Sequence, residues 1–118
     1  SFTTNKLGEY RFFAKDPNYN RDGNKVLEYK LAQNYPNPFN PVTTIKYQLK
    51  ENTDVQLLIF NTLGQKVKTL VNAYQSANSY EVLWNGSNDN GRKVASGIYF
   101  YKLITANKVL TKKMVLIK

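Results

Sequence analysis

Apolar and polar residues alternate with period two along most of the chain, the pattern of half-buried strands. Ile45, Tyr47 and Leu49 share one side of Thr44–Leu49, and Val55, Leu57 and Ile59 share one side of Asp54–Phe60. Asn61–Gln65 reads as a turn into a third run, Lys66–Val71, and Tyr80, Val82 and Trp84 lie on one face of a fourth. After the turn-rich Asn85–Gly91, the runs Ile98–Ile104 and Val109–Ile117 predict a terminal hairpin across Thr105–Lys108. No window offers a 3.6-residue apolar period of helix length. Six or seven short strands separated by turn signals predict an all-β fold, an immunoglobulin-like sandwich of about seven antiparallel strands, with a small closed barrel as the second choice.

The first thirty residues have a different texture. Gly8–Ala14 alternates with Tyr10, Phe12 and Ala14 on one side, Asp16–Asn24 is dense in turn formers, and Val26–Tyr29 reads as a second short strand. Such a pair would either close an upstream domain or pad the edge of the main one. The opening Ser1–Thr4 carries neither an initiator methionine nor a signal-peptide pattern, so the chain is expected to be a piece of a longer protein. Three of the four prolines fall in Tyr35–Pro41, where fixed φ angles and missing N–H groups exclude a helix or a central strand. That stiff stretch is expected to cross the surface and pin Tyr35 and Phe39 on what lies beneath. The division expected is 1–30 as the end of an upstream domain or a linker with a short hairpin, and 31–118 as the main domain.

A hydrophobic content of 42% with 14% aromatic residues suffices for one core. Trp84, the lone tryptophan, is expected to stand between the sheets with a partner for its indole N–H. Histidine and cysteine are both absent, which removes disulfides, thiolate or imidazole zinc sites, and Ser-His or Cys-His nucleophiles. The eight carboxylates are scattered, so no catalytic pair is assigned and no cofactor is expected. Asn18, Asn20 and Asp22 before Gly23 faintly resemble the start of a calcium loop, but the twelfth position is Tyr29, not Glu, and an Asx-rich turn is the better reading. Asn85-Gly86-Ser87 matches a glycosylation sequon and is read as turn chemistry. No run approaches the roughly 18 apolar residues of a membrane helix, and membrane insertion is not expected.

Charge adds a second theme. Seventeen Lys and Arg against eight Asp and Glu give +9, of which residues 31–118 carry +7 (eleven cations less four acids). After Asp89 come Arg92, Lys93, Lys102, Lys108, Lys112, Lys113 and Lys118 with no acid among them. Lysine on an edge strand can be a solvated device against edge-to-edge pairing. Nucleic-acid binding is set aside, because the aromatics sit mainly at inward positions and no recognition motif accompanies the charge.

Several segments together resemble one family. Leu31-Ala32-Gln33-Asn34-Tyr35-Pro36-Asn37-Pro38-Phe39-Asn40-Pro41 is similar to the opening motif of the C-terminal sorting domains of the type IX secretion system, found in the Bacteroidota and their relatives. The likeness continues through Val55–Val67, Tyr80–Gly86, Val94–Tyr101 and Thr111–Met114 to Lys118. Two positions depart from the family pattern: Ser79 stands near where a glycine is usual before the tyrosine, and Asn85 follows the tryptophan where aspartate is usual. The resemblance implies a seven-stranded Ig-like domain, related to that of flagellar hook-capping proteins, which acts as a non-enzymatic address. The outer-membrane translocon would recognise it, a sorting peptidase would remove it, and the cargo upstream would be attached to the surface or released after transit through the periplasm. Lys112, Lys113 and Lys118 on the terminal strand are then the expected recognition residues, with Gly97 and Tyr99 of the late Gly-x-Tyr motif expected to serve the fold. A monomer is expected. The competing reading is an Ig-like adhesion or carbohydrate-binding module, which would present exposed aromatics in a planar row.

Overall fold

A computed structural model describes residues 27–117, and the expectations over Gly8–Ala14, the Asn18–Asn20–Asp22 turn and Lys118 lie outside the described residues. The described residues are all β: β1 (Lys30–Leu31), β2 (Thr43–Gln48), β3 (Thr53–Phe60), β4 (Lys66–Gln75), β5 (Ser79–Trp84), β6 (Gly97–Ile104) and β7 (Val109–Leu116). They form a three-stranded sheet in the order β1-β2-β5 and a four-stranded sheet in the order β4-β3-β6-β7, with every named pairing antiparallel. This is the Ig-like sandwich, and two separate sheets replace the closed barrel considered beside it.

The alternation of the sequence becomes the two inner faces. Ile45 and Tyr47 from the small sheet, with Leu49 just beyond β2, meet Val55, Leu57, Ile59, Tyr99, Tyr101, Leu103, Met114 and Leu116 from the large one, all buried. Each such aliphatic side chain contributes about 1.5–3 kcal/mol by leaving water. Trp84 ends β5 inside this layer. Its ring lies 5.6 Å from Phe39 and 5.5 Å from Tyr99, the latter edge to face, and its Nε1–H donates to the Ser87 carbonyl at 2.8 Å. The expected pillar therefore has its expected partner. Ser87 Oγ bonds Asn85 Oδ1 at 2.6 Å, so the sequon residues build the turn after the strand.

Three details differ from the sequence reading. Leu27–Tyr29 carry no strand, and pairing starts instead at Lys30, opposite Gln48. The strand over Lys66–Val71 runs on to Gln75, because β3 offers a ladder as far as Thr53. Of the two aromatics in the proline-rich stretch, Phe39 is buried but Tyr35 is 81% exposed. Tyr35 bridges Thr44 through its backbone, and a residue held in that ladder has its side chain direction set by the pleat rather than by its own hydrophobicity.

The loops cover one edge of the large sheet. Asn88 Oδ1 accepts from the amides of Asn90 and Arg92, closing the turn that follows β5. Asp89 then lies along β4, its amide donating to the Val67 carbonyl at 3.0 Å and its Oδ1 accepting from the Thr69 amide at 3.0 Å.

Truncating Trp84 to alanine removes the side chain on which Phe39 and Tyr99 both pack, and a loss of about 3–5 kcal/mol is expected. Urea unfolding followed by circular dichroism should show the midpoint collapse, whereas the exposed Leu83→Asn should change it little.

Candidate functional site

The terminal hairpin β6–β7 and the segment Leu31–Pro41 form one structural unit. Gln33 Nε2 donates to the Lys113 carbonyl at 2.7 Å, and the Val115 amide donates to Asn37 Oδ1 at 3.0 Å. The Phe39 amide donates to the Val115 carbonyl at 3.0 Å, and the Ile117 amide donates to the Phe39 carbonyl at 2.9 Å, a parallel bridge opposite Leu116. The proline-rich stretch is thus a clasp along the outer edge of β7. Proline is tolerated because Gln33, Asn37 and Phe39, which alternate with or flank the prolines, supply the partners.

A buried polar cluster holds the clasp to the core. The Tyr101 hydroxyl donates to the Ala32 carbonyl at 2.6 Å and accepts from the Asn34 amide at 2.8 Å. Asn34 Nδ2 donates to Thr43 Oγ1 at 2.9 Å and to the Pro36 carbonyl at 3.1 Å, while Thr43 Oγ1 donates to that same carbonyl at 2.8 Å. Gln33 Nε2 completes the set at Asn34 Oδ1, 2.7 Å away. Asn34 and Thr43 are buried, so these groups satisfy one another where water does not reach. Burial pushes the Tyr101 hydroxyl up to about 12, only partly offset by the bond from Asn34. Burial likewise raises Tyr99, and raises Tyr47 against the lowering effect of its bond to Gln75.

The sequence-predicted residues do not converge on one point. Gly97 and Tyr99 begin β6 opposite Leu116 and Met114, near the clasp. Tyr99 is buried, with its hydroxyl donating to the Ala95 carbonyl at 2.6 Å. Gly97 adopts φ +151°, where a Cβ would meet no atom within 4 Å, so conformation and not crowding requires glycine there. Lys112 and Lys113 lie mid-strand, opposite Tyr101 and Phe100, and therefore project from opposite faces of the large sheet. Lys113 shares the outer face with Lys102, whose Nζ sits 5.2 Å from the centre of the Phe60 ring. Lys112 shares the inner phase of Met114 and Leu116 yet is exposed, because the sandwich is open at that edge.

The residues that sequence reasoning missed are Gln33, Asn34, Asn37, Thr43 and Tyr101. Their signal was the three amide side chains packed between and beside prolines. Such a density of donors and acceptors in a stretch that cannot pair with itself requires partners elsewhere.

A family model described as "Secretion system C-terminal sorting domain" matches residues 33–118. Among solved structures, the chain is similar to dimeric latent PorU from Porphyromonas gingivalis, with TM-score 0.59, 22% identity and coverage of 78% of this chain and 9% of that one. It is also similar to PorZ, a surface component of the type IX secretion system of the same organism, with TM-score 0.50, 21% identity and coverage of 76% of this chain and 11% of that one. The chain therefore spans about a tenth of each of these proteins, and the likeness is one of fold. No curated protein matches.

Two substitutions test this geometry. Tyr101→Phe leaves the Ala32 carbonyl and the Asn34 amide unpaired and should cost about 1–3 kcal/mol. The native tyrosine holds its proton up to about pH 12, whereas the unfolded chain releases it near 10. Its contribution to stability is therefore complete below pH 10 and lost as pH rises towards 12. Thermal melts between pH 9 and 12 should fall less steeply for Tyr101→Phe than for the native chain. Gly97→Ala, forced into a conformation that L side chains rarely adopt, should lower stability by about 1–3 kcal/mol in the same melts.

Proposed function

The chain belongs to the family of secretion-system C-terminal sorting domains, and from that premise we propose that it is the address by which the type IX outer-membrane translocon exports a cargo joined upstream. The observation that carries the proposal is the clasp. The family's opening motif is bonded along the last strand, so the two sequence ends of the domain are read as one folded surface. A receptor on the periplasmic side would meet a rigid module whose terminal hairpin is already ordered, which lowers the entropic cost of recognition.

Basic residues support the direction of that recognition. Lys112 and Lys113 stand on β7, and Lys118 follows it in the sequence. An acidic receptor surface would be steered towards them, giving faster capture and a fixed orientation. Gly97 and Tyr99 serve by holding β6 and hence β7 in place. Removal by a sorting peptidase, followed by surface attachment or release of the cargo, completes the proposed sequence, with the domain acting as a monomer. Among the described residues, the exposed tyrosines lend the adhesion-module reading no support. Tyr35 lies beside the small sheet and Tyr74 on the edge strand of the large one, so the two do not form a row.

Residues 31–118 fused behind an exported reporter should carry it outside cells that possess this secretion system. Reversing Lys112 and Lys113 to Glu in a variant that still folds should reduce export by about tenfold or more, the effect of roughly 1.4 kcal/mol in capture. A reporter that remains periplasmic while an established sorting domain exports it would overturn the proposal. Undiminished export of the folded charge-reversed variant would reduce the two lysines to edge protection.

A further inference from the structure

The clasp covers only part of the last strand. Residues 113, 115 and 117 turn backbone groups outward from β7, as their bonds to Gln33, Asn37 and Phe39 demonstrate. By the same alternation Val109 and Thr111 point their N–H and C=O groups outward, and among the described residues these meet no partner. The edge is therefore sealed from Lys113 onward and open before it.

Beside that open stretch lies a groove of about 810 Å³. One wall is Tyr29–Ala32, where the chain leaves the small sheet to run along β7. The other is Leu110–Lys112. Its floor includes Tyr47 and Tyr80, stacked with centroids 5.3 Å apart. Three lysines border it, Lys30, Lys46 and Lys112, against the single acid Glu81. The Tyr29 hydroxyl is buried there with no hydrogen-bond partner among the described residues.

We propose that this groove receives an extended acidic peptide segment of a partner protein, which adds to the open edge of β7 as a short extra strand. Thr111 supplies the backbone donor and acceptor, and the register is limited by Gln33, where the clasp begins. Alternate side chains of the added strand point into the groove, so carboxylates at every second position meet Lys112, while Lys30 and Lys46, opposite Gln48 and Glu81 on the outer face of the small sheet, add positive charge at the rim. Lys113, on the other face, contributes only to the outward-facing positions. The net positive border is what commits the occupant to an acidic chain rather than an apolar one. This inference rests on the sorting-domain reading for the identity of the partner as export machinery, but its chemistry is independent of that reading.

The test uses the 118-residue chain and a fluorescein-labelled ten-residue peptide of alternating Glu and Thr, followed by fluorescence anisotropy. Binding is expected. It should weaken about tenfold for Lys112→Glu and should be unaffected by Lys68→Glu on β4, at the opposite edge of the large sheet. A peptide of the same sequence with N-methylated backbone at its four central residues should lose binding, because it cannot form the ladder. Absence of binding at millimolar peptide overturns the groove as a docking site. Equal binding of the N-methylated peptide, or full displacement by 10 mM inorganic phosphate, marks a simple anion site and also overturns the added strand. Because the readout is made on purified protein, a chain that exports its reporter yet ignores the peptide defeats this inference alone.

Discussion

The Tyr101 hydroxyl sits inside the sandwich between the Ala32 carbonyl and the Asn34 amide, and through it a central strand of the large sheet grips the segment that leads into the small one. Asn34 and Thr43 then share the Pro36 carbonyl, so the chain's turn into β2 is set by bonds buried from water. A partly satisfied network of this kind would be worse than an apolar contact, because each lost partner leaves a desolvated polar atom. The arrangement is therefore nearly all or nothing. Where it forms, the clasp is placed on β7 and the end of the domain is defined.

That placement deals with a problem every open sheet has. An edge strand exposes backbone groups that another strand can pair with. The large sheet treats its two edges differently. Along β4, Asp89 from the long loop bonds Val67 and Thr69. Along β7, the clasp occupies the edge from Lys113 to Ile117, leaving Val109 and Thr111 unpaired among the described residues. The open stretch is flanked by lysines, which deter pairing with the chain's own kind through like charge while leaving it accessible to a chain of opposite charge. Protection and recognition are thus two outcomes of one charge pattern.

The overall charge of +9 has a corresponding division. Adjacent lysines in a strand cannot act on one surface, since the pleat sends Lys112 towards the groove and Lys113 towards the outer face with Lys102. A basic terminal strand is for that reason two basic surfaces. Their separation means that an electrostatic partner approaching the hairpin has a choice of sides, and only the groove side combines charge with open backbone and aromatic walls.

Much of this was legible in the sequence, because period-two alternation is a local property that each strand carries by itself. The inward positions of β2, β3, β5 and β6, the Trp84 pillar and the terminal hairpin all follow from it, and the family is written in its motifs from Leu31 to the last residue. What the sequence determined, then, was which residues face a core and which segments must turn. Only the tertiary structure decided where the unpaired backbone went. Tyr35 looked like an anchor and is exposed, Asn34 carried no assigned role and is buried, and the use of the proline-rich stretch as the cover of a strand some eighty positions away had no local signature. Hydrogen-bond partners between distant segments depend on how two sheets are laid together, and no periodicity within one segment encodes that relation.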